Sequence, residues 1–61
     1  MTQQELIKHA KRSLRLSDVN LAALLKVSIH TLTAWQRDPS NKAFRSMPEP
    51  MRDYIELKIK E

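Results

Sequence analysis

The chain has 61 residues, 41% hydrophobic and 30% charged, with no Cys, no Gly and three Pro; 11 Lys and Arg against 7 Asp and Glu give a net charge of +4. A domain this short buries only about 60% of the surface its unfolded chain exposes, which leaves no volume for a deep substrate cavity and argues against an independent enzyme. Without cysteine there is no disulfide, thiolate nucleophile or zinc finger, and His9 and His30 cannot hold a structural metal unaided, so neither metal nor cofactor is expected. No apolar run approaches the ~18 residues that cross a bilayer, and residues 1–10 are too polar for a signal peptide. A single soluble intracellular domain over residues 1–61, with no membrane partner, is the expectation.

Punctuation by Ser, Thr, Asp, Asn and Pro divides the chain into four segments. The first runs from about Thr2 to Leu14. Thr2 precedes Glu5 at the capping-box spacing, and Leu6, Ile7, Ala10 and Leu14 follow on one helical face. Leu16 then bridges to Ser17, which is placed to cap a short second helix carrying Leu21, Ala22, Leu24 and Leu25. Lys26 and Val27 interrupt that pattern before Ser28. A third helix follows, with Ile29, Leu32 and Trp35 spaced by three, and it should end near Arg37 because Pro39 holds Asp38 extended.

Residues 38–46 read as a loop with Phe44 as its apolar peg into the core. Ser46 is the expected cap of a fourth helix with Pro48 in its first turn, and Met47, Met51, Tyr54, Ile55 and the Lys58 stem form its stripe. The stretch from Ile55 to Lys60 also alternates with period two, which leaves a short C-terminal strand as the minority reading. Leu57 and Ile59 are apolar residues that one helix cannot hide on the same face, so they are the candidate dimer interface. The overall expectation is an all-α bundle.

Charge is unevenly placed. Lys8, Lys11, Arg12, Arg15, Lys26 and Arg37 face only Glu5 and Asp18 over residues 1–37, a net +4, while the remainder balances to zero. Such a balance favours a polyanionic partner. Catalysis has little support: Ser28 and His30 are two apart on a helix and diverge, and no carboxylate is placed to orient the ring, so no catalytic residue is assigned.

Two short helices separated by about three residues must meet at a steep angle and bury a few defined positions. From Asp18 to Arg37, Leu21, Leu25, Val27, Leu32 and Trp35 fill those positions, and the crossing residue is the small Ala22. Trp35, spaced with Leu32 on the inward face, reads as core rather than as a stacking platform. His9, on the polar side of the first helix, reads as solvated.

With those residues in place, the stretch from Leu6 to Arg37 resembles the helix-turn-helix of the phage repressor and Cro type, the XRE-like family. The residues that carry the resemblance are Leu16-Ser17, the run Leu21-Ala22-Ala23-Leu24-Leu25-Lys26-Val27-Ser28, and Trp35. It implies a four- to five-helix lambda-repressor-like bundle that binds double-stranded operator DNA as a homodimer, with the third helix in the major groove. The family commonly has Gly where this chain has Arg15 and Lys26. A left-handed residue costs roughly 1 kcal/mol more as Lys than as Gly, so the turn is expected to be built slightly differently here. An Arg–Glu pair usual in the family falls on Lys11 and Gln36, where a hydrogen bond is the expected replacement.

The resemblance implies base reading from the third helix, and the helical wheel turns His30, Thr33, Ala34 and Arg37 outward with Ser28 and Ile29 at the tip. His30 and Thr33 offer hydrogen bonds, Ile29 and Ala34 offer contact with a thymine methyl, and Arg37 reaches guanine or phosphate. Phosphate contacts are expected from the second and third helix starts at Ser17, Asn20, Ser28 and Thr31, and from the loop residues Ser40, Asn41, Lys42 and Arg45. Lys11 and Arg15 are further phosphate candidates. The expected function is transcriptional repression from a palindromic operator, often of the protein's own operon, in the cytoplasm of a bacterial or phage-infected cell, in association with the nucleoid. A protein-interaction module of antitoxin or adaptor type and an excisionase-like DNA-bending factor are the alternatives.

Overall fold

The computed structural model describes residues 2–60 and is all-helical over them. Four helices follow in order: α1 (Gln3–Leu14), α2 (Asp18–Leu25), α3 (Ile29–Gln36) and α4 (Glu49–Lys60). The C-terminal segment is helical, so the strand alternative is overturned. None of the described helices is long and apolar enough to cross a membrane.

Each of the first three helices starts on a side-chain cap. Thr2 accepts from the Glu5 N–H at 3.1 Å while the Glu5 carboxylate accepts from the Thr2 N–H at 2.9 Å, closing the capping box read from the sequence. Ser17 and Ser28 accept from the N–H groups of Asn20 and Thr31. These bonds satisfy donors that a helix start would otherwise leave open.

Helices α1 and α2 both end on a left-handed residue that is not glycine. Arg15 lies at φ 55° and ψ 47°, and Lys26 at φ 59° and ψ 40°. In each case the next residue reaches back five positions: Leu16 N–H to Lys11 O at 3.0 Å, and Val27 N–H to Ala22 O at 3.0 Å. Both are Schellman endings, and Leu16 and Val27 tuck against the core as the motif favours. The turn between α2 and α3 is therefore the ordinary left-handed one. The expectation of a differently built turn fails because the two bonds and the packing of the half-buried Val27 offset a strain of only about 1–2 kcal/mol.

The core joins Leu6, Ile7 and Ala10 of α1 to Leu21, Ala22 and Leu25 of α2, Leu32 and Trp35 of α3, and Ile55 of α4. Leu14 is half-buried. Three apolar assignments are corrected. Met47, not Phe44, is the buried peg of the loop; Phe44 is only half-buried. Tyr54 leaves the inward stripe and stands 38% exposed, with the Lys58 Nζ 5.6 Å from its ring centroid. Ile59 packs against its own core, whereas Leu57 is exposed.

Helix α4 also begins differently. The Pro48 carbonyl accepts from both Met51 and Arg52 at 3.1 Å, so Pro48 takes the place expected of Ser46 as the cap. Pro50 then falls in the first turn, where a missing N–H costs nothing. Ser46 sits two residues too early to reach the open N–H groups.

Candidate nucleic-acid interface

Helix α3 lies across α2 with Leu32 and Trp35 sealed beneath it, at 0% and 5% exposure. A period of 3.6 then turns His30 and Thr33 outward, and Arg37, the extended residue that ends the helix, is exposed beyond them. Ser28 and Ile29 are exposed at the tip as expected. Ala34 is the exception. Its carbonyl accepts from the N–H groups of Arg37 and Arg45 at 3.3 Å, so the loop returns over that edge and leaves Ala34 half-buried. The outer face of α3 is thus narrower than the wheel implied.

The starts of α2 and α3 leave backbone N–H groups open. The N–H groups of Asp18, Val19, Ile29 and His30 belong to first turns and have no intrahelical acceptor by geometry. Ser17 and Asn20 are exposed beside the first of these ends. At the second, Thr31 is half-buried, and its hydroxyl lies 3.0 Å from that of Ser28, so the two hydroxyls partner each other.

The loop residues divide. Ser40 donates its hydroxyl to Asp38 Oδ1 at 2.6 Å and its N–H to the same oxygen at 2.9 Å, so its hydroxyl hydrogen is committed within the loop rather than offered to a phosphate. These two bonds, the hydroxyl first, hold the exposed Asp38 carboxyl below its ordinary value. Arg45 folds Nη1 onto the carbonyls of Phe44 at 2.9 Å and Lys42 at 3.4 Å, which shortens the outward reach assigned to it. Asn41 accepts from the Ala43 N–H at 2.8 Å through Oδ1, leaving its amide nitrogen outward, and Lys42 is exposed.

Lys11, one of the phosphate candidates, is engaged within the protein. Its ammonium lies 2.8 Å from Asp18 Oδ1 and donates to Gln36 Oε1 at 3.0 Å. The hydrogen bond expected in place of an Arg–Glu pair is present, and an ion pair to α2 is added to it. Arg15 stays exposed at the end of α1.

Two glutamines escaped the sequence reading. Gln3 Nε2 donates to the carbonyls of Trp35 and Arg45 at 2.8 Å, and its Oε1 accepts from the Met47 N–H at 2.9 Å. Gln4 Nε2 donates to the Arg37 carbonyl at 2.8 Å. Together they fix the end of α3 and the loop onto the start of α1. Partners 32 to 44 positions away leave no local signal.

Between the start of α2 and the outer face of α3 lies an open cleft of about 220 Å³ lined by Asp18, Thr33, Gln36 and Arg37. Among the described residues no three His, Asp or Glu gather closely enough to hold a metal ion. No family model, curated protein or solved structure matches the chain.

Proposed function

We propose that this protein is a sequence-specific DNA-binding regulator of the Cro-like kind, which represses transcription by occupying a palindromic operator as a homodimer. One observation carries the reading: His30 and Thr33 project from a helix whose opposite face is sealed by Leu32 and Trp35, with Arg37 exposed at its C-terminal end. Such a helix offers hydrogen-bond donors and acceptors to the major groove while its partner helix α2 braces it. The excess of cations over residues 1–37 supplies the phosphate attraction. A setting in the cytoplasm of a bacterial or phage-infected cell, on the nucleoid, with the protein's own operon among its targets, belongs to the same proposal.

A second copy is needed because one short helix offers few bidentate contacts, and the exposed Leu57 and Tyr54 of α4 are apolar surface suited to it. The test is selection from a random duplex library at about 150 mM salt, with wild type and His30→Ala/Thr33→Ala run in parallel, a salt at which phosphate contacts alone bind weakly. A palindromic consensus that blurs in the double variant supports operator reading. Absence of any enriched sequence overturns it and turns the search to protein partners or DNA bending.

A further inference from the structure

The Asp18 carboxylate is out of place on a face meant for phosphates, and its surroundings suggest a use for it. It opens the cleft of about 220 Å³ in which Thr33, Gln36 and Arg37 are the other walls. Its side chain is 48% exposed and lines the cleft, and Lys11 lies 2.8 Å from Oδ1, so the ammonium engages one of the two carboxylate oxygens. The same ammonium holds Gln36 Oε1 at 3.0 Å, which ties the floor of the cleft to the carboxylate. A carboxylate so placed accepts hydrogen bonds and offers none, while Arg37 across the cleft only donates.

We propose that this cleft reads a C·G base pair, with Asp18 accepting from the cytosine N4 amino group and Arg37 donating to guanine O6 and N7. The assignment rests on the DNA-reading function proposed above and makes Asp18 a specificity-determining residue of it. Major-groove edges decide the identity of the pair. Cytosine presents an amino donor where thymine presents an acceptor, and guanine presents two acceptors side by side that suit a guanidinium fork. An acceptor and a donor in one cleft match that pair and oppose T·A, whose O4 would meet a carboxylate. Lys11 lowers the repulsion between Asp18 and the nearby backbone phosphates, so the carboxylate can approach the groove.

The experiment measures affinity for the selected duplex and for one in which 2-pyrimidinone, a cytosine lacking the N4 amino group, replaces the cytosine opposite guanine. Wild type is expected to lose about tenfold in affinity on the altered duplex, within the range of one good base contact, and Asp18→Ala, which has no side-chain acceptor, to lose much less. Thermal unfolding of the variant checks that it folds, and the wild-type comparison needs no variant at all. Equal loss by both proteins, or a wild-type selection with no C·G preference in either half-site, overturns the assignment while leaving operator reading intact. Uniformly tighter binding of Asp18→Ala to every sequence also overturns it, since Asp18 would then only repel phosphate. A wild type that enriches no sequence overturns both proposals.

Discussion

The Lys11 ammonium donates to Gln36 Oε1 across the α1–α3 contact at 3.0 Å, and the Gln36 amide nitrogen donates in turn to the Leu32 carbonyl at 3.3 Å. With Asp18 at 2.8 Å from the same ammonium, one cation joins three helices. Lys11 and Asp18 are 28% and 48% exposed, so solvent screens the pair and the hydrogen bond carries much of its worth. Lys11→Met keeps the stem and removes the charge. It is expected to cost about 1 kcal/mol in urea unfolding, with Gln36→Leu costing less in that background than alone.

Gln3 makes three bonds to backbone groups of α3 and the loop, two as donor and one as acceptor. Gln3→Leu fills similar volume and leaves those groups without a partner, the more costly half of the hydrogen-bond asymmetry. A loss of about 2 kcal/mol is expected. Hydrogen exchange gives the local readout: the Met47 amide should lose protection well beyond that of the α2 amides, and equal loss everywhere would mean that Gln3 supports the whole fold rather than the loop.

Arg15 and Lys26 hold a conformation that a side chain with a Cβ enters at a cost of about 1–2 kcal/mol. Glycine removes that strain but adds freedom to the unfolded chain, worth about 0.5–1 kcal/mol. Lys26→Gly is therefore expected to stabilise the protein by about 0.5 kcal/mol, a rise of a few degrees in Tm for a domain of this size. A fall in Tm would show that the cation at the α2 C-terminus contributes more, through the helix dipole, than the strain removes.

The α2–α3 pair was legible because its determinants are local: Ser17 and Ser28 cap within three residues, and Leu21, Leu25, Leu32 and Trp35 repeat at helical spacing. The loop was not. Met47 enters the core with its N–H bonded to Gln3, 44 positions away, and no periodicity encodes such a bond. The candidate site divides in the same way. The wheel gave the exposure of His30, Thr33 and Arg37, but the returning loop covers Ala34, and Ser40 and Arg45 spend donors on neighbours that composition does not reveal.

The α1 capping box ties stability to acid. The Thr2 N–H and then the Thr2 hydroxyl hold the exposed Glu5 carboxyl below its ordinary value. A depressed carboxyl stabilises the fold above its unfolded pKa, and that contribution fades as pH falls through the lower folded value. Unfolding measured from pH 6 to below the usual carboxylate range, about 4, should therefore show a decline that Thr2→Ala makes shallower. At neutral pH the same variant is expected to cost about 1 kcal/mol, the usual worth of a helix cap.

Leu57 and Ile59 were paired as interface candidates, yet α4 turns them apart. Leu57 is 59% exposed, whereas Ile59 packs on the core beside the groove formed with Leu6 and His9. Aspartate at the two positions should therefore fail differently. Ile59→Asp puts a carboxylate against apolar side chains and is expected to lower stability by about 2 kcal/mol whether or not the protein associates. Leu57→Asp changes only solvent-facing surface, so its unfolding at low concentration should stay within about 0.5 kcal/mol of wild type. If α4 carries the dimer, sedimentation will show Leu57→Asp as a folded monomer at concentrations where wild type is paired, and its operator affinity will fall as the second half-site is lost. An unchanged sedimentation profile would remove Leu57 from the interface and direct attention to the Leu24, Met51 and Tyr54 surface where α4 meets α2.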